Sequence, residues 1–268
     1  LGTFEFLVSG EDIRFIEANP RLQVEHTVTE EVTGIDLVQT QIRIALGASL
    51  AELGIAQPPA TRGFAIQARI NLETLDEHGT PLPQAGRLTA YTPPSGPNVR
   101  VDGYGYTGYA TSPRYDPLLA KVIARGTSFG NAAGNLVAAL REFHIEGIAT
   151  GLPLDLAVLR HPDFVAARFD TAFIADHLAD LLQASRMQAM IVPVATDAGA
   201  VPAAAQEDLP DDGATIAVRA QMTGIVLSVA VTPGETVRTG DPLAVIEAMK
   251  MEQVIRAPVD GEIVVVVA

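Results

Sequence analysis

Cysteine is absent from this 268-residue chain, which removes disulfides, thiolate metal sites and a cysteine nucleophile together. Positive charge is scarce: 18 lysines and arginines stand against 32 aspartates and glutamates, for a net charge of −14. Nucleic acid and anionic membranes both need clustered basic residues, so no nucleic acid and no membrane is expected among the partners. No stretch approaches the roughly 18 apolar residues of a membrane helix, and no charged-then-apolar leader opens the chain. A soluble, cytoplasmic protein without redox chemistry of its own is expected. Lysine is scarcer still, with only Lys121 and Lys250 against sixteen arginines. What the chain has is apolar bulk: 28.2 kDa at 48% hydrophobic is enough for one large domain or two smaller ones with real cores.

The scarcity of lysine draws the eye to Glu247-Ala248-Met249-Lys250-Met251, just past the strand-like Leu243-Ala244-Val245-Ile246. A primary amine on a protruding hairpin turn is where a swinging cofactor arm would be attached. Around it lies an internal repeat at an offset of 37, with Arg219-Ala220-Gln221-Met222-Thr223-Gly224-Ile225-Val226 matching Arg256-Ala257-Pro258-Val259-Asp260-Gly261-Glu262-Ile263. Two such units predict a closed two-fold β-sandwich with Lys250 at the joining hairpin. The first copy continues through Pro233-Gly234-Glu235 and Thr239-Gly240-Asp241 to Glu247, whereas the second stops at Ala268, about sixteen residues short. The apolar run Ile263 to Val267 is therefore expected to be an unpaired strand. Since the chain also opens at Leu1 inside a strand-like pattern, a fragment truncated at both ends is expected.

Upstream, residues 3 to 8 and 13 to 18 are rich in strand formers and flank Ser9-Gly10-Glu11-Asp12, a hairpin signature. Ile35, Val38, Ile42 and Leu46 recur at helical spacing before Gly47. Strands are predicted around 64 to 70 and 118 to 124, flanking a turn-rich middle. A helix is predicted over 129 to 142, capped by Ser128, with Phe129, Ala133, Leu136, Val137 and Leu140 on one face. Helical segments follow around 153 to 160 and 172 to 182. Residues 184 to 213 change to Ala, Pro, Val, Asp and Gln without period, which reads as a linker of roughly 30 Å r.m.s. reach and about 100 Å at full stretch.

A hairpin centred on residue 11 places Glu5 opposite Glu17, with Cβ atoms about 5 Å apart, where like charges repel. Either one carboxyl holds a proton or a cation sits between them. Asn19 falls on the same face and completes a hard, oxygen-only set suited to Mg²⁺ bridged to phosphates; a solvated acidic face is the alternative. The run Asn19-Pro20-Arg21-Leu22-Gln23-Val24-Glu25-His26 follows directly. Its arginine offers a fork for an oxyanion and Glu25 a general base, unless the two form only a surface ion pair.

Phe15 through Glu30 closely resembles the signature of biotin carboxylases in the ATP-grasp superfamily, and Glu247 to Met251 resembles the biotinylation motif of biotin carboxyl carrier domains. The likeness covers roughly 1 to 183 and 214 to 268. It implies that Glu5, Glu17 and Asn19 hold Mg²⁺ or Mn²⁺ on ATP. It implies that Arg21 positions bicarbonate with help from Gln23 and the backbone at Val24, and that Glu25 deprotonates bicarbonate for attack on the γ-phosphate, giving carboxyphosphate. Arg69, in Ala65-Ile66-Gln67-Ala68-Arg69-Ile70, falls where the family has the arginine that stabilises the biotin enolate. Pro20 stands where Ser or Thr is common. The family's Gly-rich phosphate loop and ATP-clamping lysines are not matched within these residues, so the chain alone is expected to turn over poorly.

The implied fold class is α+β: residues 1–47 as the end of an ATP-grasp domain, 48–183 as the biotin carboxylase C-terminal domain, 184–213 as linker, and 214–268 as an incomplete all-β biotinyl domain. The implied function is that of a biotin-dependent acyl-CoA carboxylase, with biotin on Lys250 and ATP as cofactors. Implied partners are a carboxyltransferase, a biotin protein ligase and, as a homo-oligomer, further copies of the chain. A pyruvate or urea carboxylase, or a carrier module with an inactive carboxylase half, is the alternative. A lipoyl site at Lys250 is disfavoured because lipoyl hairpins usually present Asp-Lys-Ala. Gly103 to Gly108 satisfies G-x-G-x-x-G but lacks the following helix of a dinucleotide site. His78, His144, His161 and His177 lack ligand spacing and read as structural, whereas His26 lies in the signature. Lys121, within an apolar strand, reads as a buried ion-pair partner, with Asp116 the candidate.

Overall fold

The computed structural model describes residues 1–112, 116–191, 215–218, 220, 225–248 and 251–264. It divides into two compact units, one of residues 1–84, 88–109 and 118–196, the other of 85–87, 110–117 and 197–268. The first unit begins with β1 (Thr3–Ser9) and β2 (Asp12–Asn19), then α1 (His26–Thr33) and α2 (Leu37–Ala45). Next come β3 (Phe64–Asn71), β4 (Glu73–Leu75), β5 (Pro81–Pro83), β6 (Ala90–Thr92), β7 (Val99–Gly103) and β8 (Leu118–Gly126). It closes with α3 (Phe129–Glu142), β9 (His144–Glu146), α4 (Leu152–Arg160), α5 (Pro162–Val165), α6 (Phe173–Asp176) and α7 (Leu178–Ile191). No described helix is long and apolar enough to cross a membrane.

The β1–β2 hairpin turns through two residues, with Ser9 opposite Asp12 and Gly10 at φ 61°, a conformation that only a residue without Cβ adopts cheaply. The register expected from a centre at residue 11 holds only from Thr3 to Glu5, where Glu5 does face Glu17. Beyond it Phe6 faces Phe15, so Ile16 is the extra residue of a β-bulge. Phe6 and Phe15 meet edge to face at 5.7 Å. Both faces of the hairpin are open, with Phe4 66% exposed on one and Leu7 48% exposed on the other, an apolar surface of the kind that packs against further protein.

The sheet β3-β8-β7 is antiparallel throughout and carries the unit's core. Alternation along a strand sends successive side chains to opposite faces. Ile66, Ala68 and Ile70 of β3, Ala120, Val122 and Ala124 of β8, and Val99 and Val101 of β7 join one apolar cluster with Leu136, Ala139 and Leu140 of α3. The alternate set is largely polar: Gln67 and Arg69, Lys121 and Arg125, Arg100 and Asp102. Helix α1 packs on β3 and β8, with Thr27 reaching Gln67 on that polar side. Helix α3 forms as the sequence predicts, its first turn closed by the Ser128 hydroxyl accepting from the Asn131 amide at 3.2 Å. The strand meets the helix at Gly126, where a Cβ would stand 2.3 Å from the Ala132 nitrogen.

Several expectations are corrected. Helix α2 is shorter than its apolar spacing: Asp36 caps its start and leaves Ile35 outside, and Leu46 is the C-cap at its end. The turn-rich middle contains short strands, and α1 was not legible as a helix. Helix α7 runs to Ile191, eight residues into the stretch read as linker; Gln183 through Met190 are mostly good helix formers. Between Gly103 and Leu118 no helix occurs among the described residues.

In the second unit, β10 (Ile225–Val229), β12 (Pro242–Ala248) and β13 (Met251–Arg256) form a sheet in the order β10-β12-β13, and β11 (Thr236–Val237) pairs with β14 (Gly261–Glu262). Val231, Val237, Leu243 and Ala257 form its core, with Ile263 packed against them. Ile263 is also backbone-bonded to Glu235 and Gly234 at 2.9 and 2.7 Å, so the run expected to be unpaired begins with a paired residue. Ala248 faces Met251; Met249 and Lys250 between them lie outside the described residues, as do Arg219 and residues 221–224 of the first repeat copy.

Candidate active site

The hairpin places its acids under two amides. Asn19 Nδ2 donates to Glu5 Oε1 at 3.2 Å and to Glu17 Oε1 at 2.7 Å, and Gln23 Nε2 donates to the same Glu5 oxygen at 3.1 Å. The amides thus occupy the position that a cation would take between the opposed carboxylates. A half-turn of the Asn19 amide exchanges its NH₂ for its carbonyl oxygen, which converts the cluster into three hard oxygen donors. The donor set therefore fits a Mg²⁺- or Mn²⁺-type ion.

From Asn19 the chain turns sharply, with the Arg21 amide on the Asn19 carbonyl at 2.8 Å. The exposed Arg21 side chain donates through Nη1 to the Leu22 carbonyl at 3.2 Å. His26 Nδ1 lies 2.7 Å from the Gln23 carbonyl, so this histidine holds the turn that leads into α1. Glu25, at the N-terminal boundary of α1, is ion-paired with Arg69 Nη2, and both side chains are about half exposed, at 51% and 46%. The helix is clamped to β3 by the fully buried Thr27, whose hydroxyl donates to Gln67 Oε1 at 2.8 Å. Gln67 and Arg69 share a face, so this clamp also sets the height of Glu25 over Arg69.

Three partnerships behind this layer were not read from the sequence. Lys121 is 7% exposed and donates to the Val24 carbonyl at 2.9 Å. Its acidic partner is Asp102, 3.4 Å away, in place of the expected Asp116, because Asp102 lies directly opposite it on β7. Arg100 bonds Asp102 at 3.0 Å and Glu30 of α1 at 2.7 Å, which ties β7 to the helix. Burial pulls the Lys121 ammonium down from its ordinary value, and Asp102 opposes that. Burial pushes the Asp102 carboxyl up, but the Arg100 bond and charge, with Lys121, leave it below its usual range. The signal that could have found these residues is the recurrence of polar side chains at alternate positions of three otherwise apolar strands.

Two other groupings lie away from the hairpin. His161, Asp163 and His177, expected to be scattered, offer ligand atoms that all lie within 4.8 Å of one another. Asp163 Oδ1 is already held by Arg168 at 3.1 and 2.6 Å, and His161 Nδ1 accepts from the Asp163 amide at 3.2 Å. His177 Nε2 stands 3.6 Å from Asp163 Oδ2, so the cluster is paired internally and fastens the start of α5 to the end of α6. On α4, burial and the nearby Glu73 charge push the Asp155 carboxyl up to about 8; its Oδ2 and Asn71 Oδ1 are buried without partners.

With this geometry, comparisons with known proteins converge. Residues 1–53 match the ATP binding domain of carbamoyl-phosphate synthase L chain, residues 67–176 the biotin carboxylase C-terminal domain, and residues 214–268 the domain described as biotin-requiring enzyme. Pyruvate carboxylase of Pichia angusta is 47% identical over 178 residues, which cover 65% of this chain and 15% of that protein. The biotin-dependent acyl-coenzyme A carboxylase alpha3 subunit of Mycobacterium leprae is 37% identical over 303 residues, covering 97% of this chain and 50% of the subunit. Among solved structures, the biotin carboxylase domain of Hydrogenobacter thermophilus 2-oxoglutarate carboxylase, in complex with MgADP, ADP and bicarbonate, is similar with a TM-score of 0.62 and 35% identity. That match covers 67% of this chain and 39% of the other. The chain thus spans half or less of the length of each of these proteins.

Proposed function

The chain belongs to the biotin-dependent carboxylases, and from that premise we propose that it takes part in ATP- and bicarbonate-dependent carboxylation of a biotin carried on Lys250, for transfer to an acyl-CoA. The observation that carries the reading is the opposed pair Glu5 and Glu17 under the amides of Asn19 and Gln23, followed within a few residues by Glu25 on Arg69.

When bound, Mg²⁺ or Mn²⁺ with ATP supplies an activated phosphoryl group, and Glu5, Glu17 and Asn19 are the residues assigned to hold the ion. Arg21 offers its planar fork to the oxygens of bicarbonate, with Gln23 and the backbone of Val24 beside it. Glu25 takes the bicarbonate proton. Arg69 stands within reach of Glu25, so the proton acceptor and a fixed positive charge serve one small volume. A cation placed where negative charge develops on the biotin ureido oxygen lowers the barrier to its carboxylation. Lys250, which falls in sequence between β12 and β13, carries the biotin.

We assign residues 1–47 to the end of the ATP-grasp domain and 214–268 to the carrier. Residues 48–183 are assigned to the carboxylase C-terminal domain, and helix α7 continues from it to Ile191. A carboxyltransferase domain or subunit and a biotin protein ligase are the partners this function needs, and self-association is assigned with them.

Glu25→Gln in the complete enzyme tests the reading, because it keeps the shape and removes the base. ADP release with ATP, bicarbonate and free biotin is expected to fall about 10²- to 10⁴-fold. An unchanged rate would leave the chain as a carrier module beside a carboxylase half that only supports it. Pyruvate as acceptor is the second reading, favoured by the higher identity to pyruvate carboxylase. That alignment covers 65% of the chain, whereas the alpha3 alignment covers 97% and so includes the carrier region, which supports the acyl-CoA assignment.

A further inference from the structure

Thr27, fully buried, and Lys121, 7% exposed, are the least exposed polar residues among the described ones. Taking an ammonium out of water costs several kcal/mol unless it is fully paired, and a neutral apolar residue would fill the middle of β8 more favourably. The location adds a second cost. Lys121 is directly opposite Arg69 in the ladder between β8 and β3, and like charges in that relation repel. Asp102, opposite Lys121 on the other side, accounts for one of its donors at 3.4 Å. A second donor, at the shorter distance of 2.9 Å, goes to the carbonyl of Val24. That carbonyl belongs to the peptide unit joining Val24 to Glu25.

We propose that Lys121 is a positioning residue for bicarbonate activation, fixing the Val24–Glu25 peptide and thereby aiming Glu25 at the space beside Arg69. The inference rests on the role given to Glu25 above. One row across three strands then does the work: Asp102 holds Lys121, Lys121 holds the backbone of residue 24, and Arg69 meets the side chain of residue 25. Lysine suits the task because its compact, multi-donor head satisfies a carbonyl and a carboxylate at once.

The test is Lys121→Met in the complete enzyme, which keeps the apolar stem and removes the donor, with Asp102→Asn as its companion. Bicarbonate- and biotin-dependent ADP release, KM for ATP and the melting temperature are measured together. Misplacing a catalytic group by about 1 Å costs on the order of 10²-fold. Lys121→Met is therefore expected to lower kcat about 10- to 100-fold with KM for ATP unchanged, and Asp102→Asn, which leaves the bond to Val24 available, to lower it less. Equal losses in the two variants, or a loss that follows only the melting temperature, would assign Lys121 to structural support and overturn the proposal. An unaffected kcat in Lys121→Met overturns it as well. A wild-type enzyme without bicarbonate-dependent ADP release would instead sink the proposed function, and this inference with it.

Discussion

At the scale of single residues, burial decides which charges are held and which are merely tolerated. Asp155 belongs to the second kind, since its carboxyl is pushed up to about 8 by burial and by Glu73. In the folded protein it stays neutral to about pH 8, whereas in the unfolded chain it ionises near its ordinary value of 3.8. Folding is therefore unpenalised below about pH 4, loses stability as pH rises through the interval between those values, and levels off above about 8. Asp155→Asn, neutral at every pH, is expected to gain about 1–3 kcal/mol at pH 8 and nothing near pH 4. Chemical denaturation of both proteins at the two pH values checks this. Residue by residue, the candidate site was legible as a cluster where its members sit in a contiguous run. Glu5, Glu17 and Asn19 followed from counting across one hairpin, and the structure brings them together. Lys121 with Val24, 97 positions apart, could not be paired without knowing which strand lies beside β8.

At the scale of elements, the strand-and-helix pair β8–α3 was legible because its apolar spacing, its cap and its glycine all agree. Helix α1 was hidden, since Glu25 makes no side-chain cap bond and its eight residues include five β-branched ones, of low helix propensity. It forms because Thr27 and Glu30 are anchored to β3 and β7, a tertiary cause that local periodicity does not carry. Leu136, fully buried under the sheet, should show the strength of the opposite face. Leu136→Ala is expected to cost about 2–5 kcal/mol, read as a lower denaturation midpoint at unchanged m-value.

At the scale of the whole molecule, the two lysines divide the labour. One lies 7% exposed inside the first unit, and the other sits in the motif between β12 and β13. Burial withdraws Lys121 from a ligase that acylates lysine amines, which leaves Lys250 as the lysine proposed to carry the group. Co-expression with biotin protein ligase is expected to add one biotin to the wild type and none to Lys250→Arg, as read by intact mass. Any biotin on the variant would place the attachment elsewhere. The carrier motif and the repeat were legible, whereas the length of α7 was not, because the helix continues to Ile191 through an alanine-, glutamine- and methionine-bearing stretch that composition alone assigns to linker.

The alternation along β3, β8 and β7 has a consequence for how this chain can vary. Its three strands are written in two interleaved texts, one greasy and one largely polar, read on opposite sides of the same backbone. Inserting one amino acid within β8 would shift every later position by one step and exchange the texts from there onward. Arg125 would then be driven into the packed interior while Ala124 faced the chemistry. Length changes there should thus be far less tolerable than even drastic replacements at a single position.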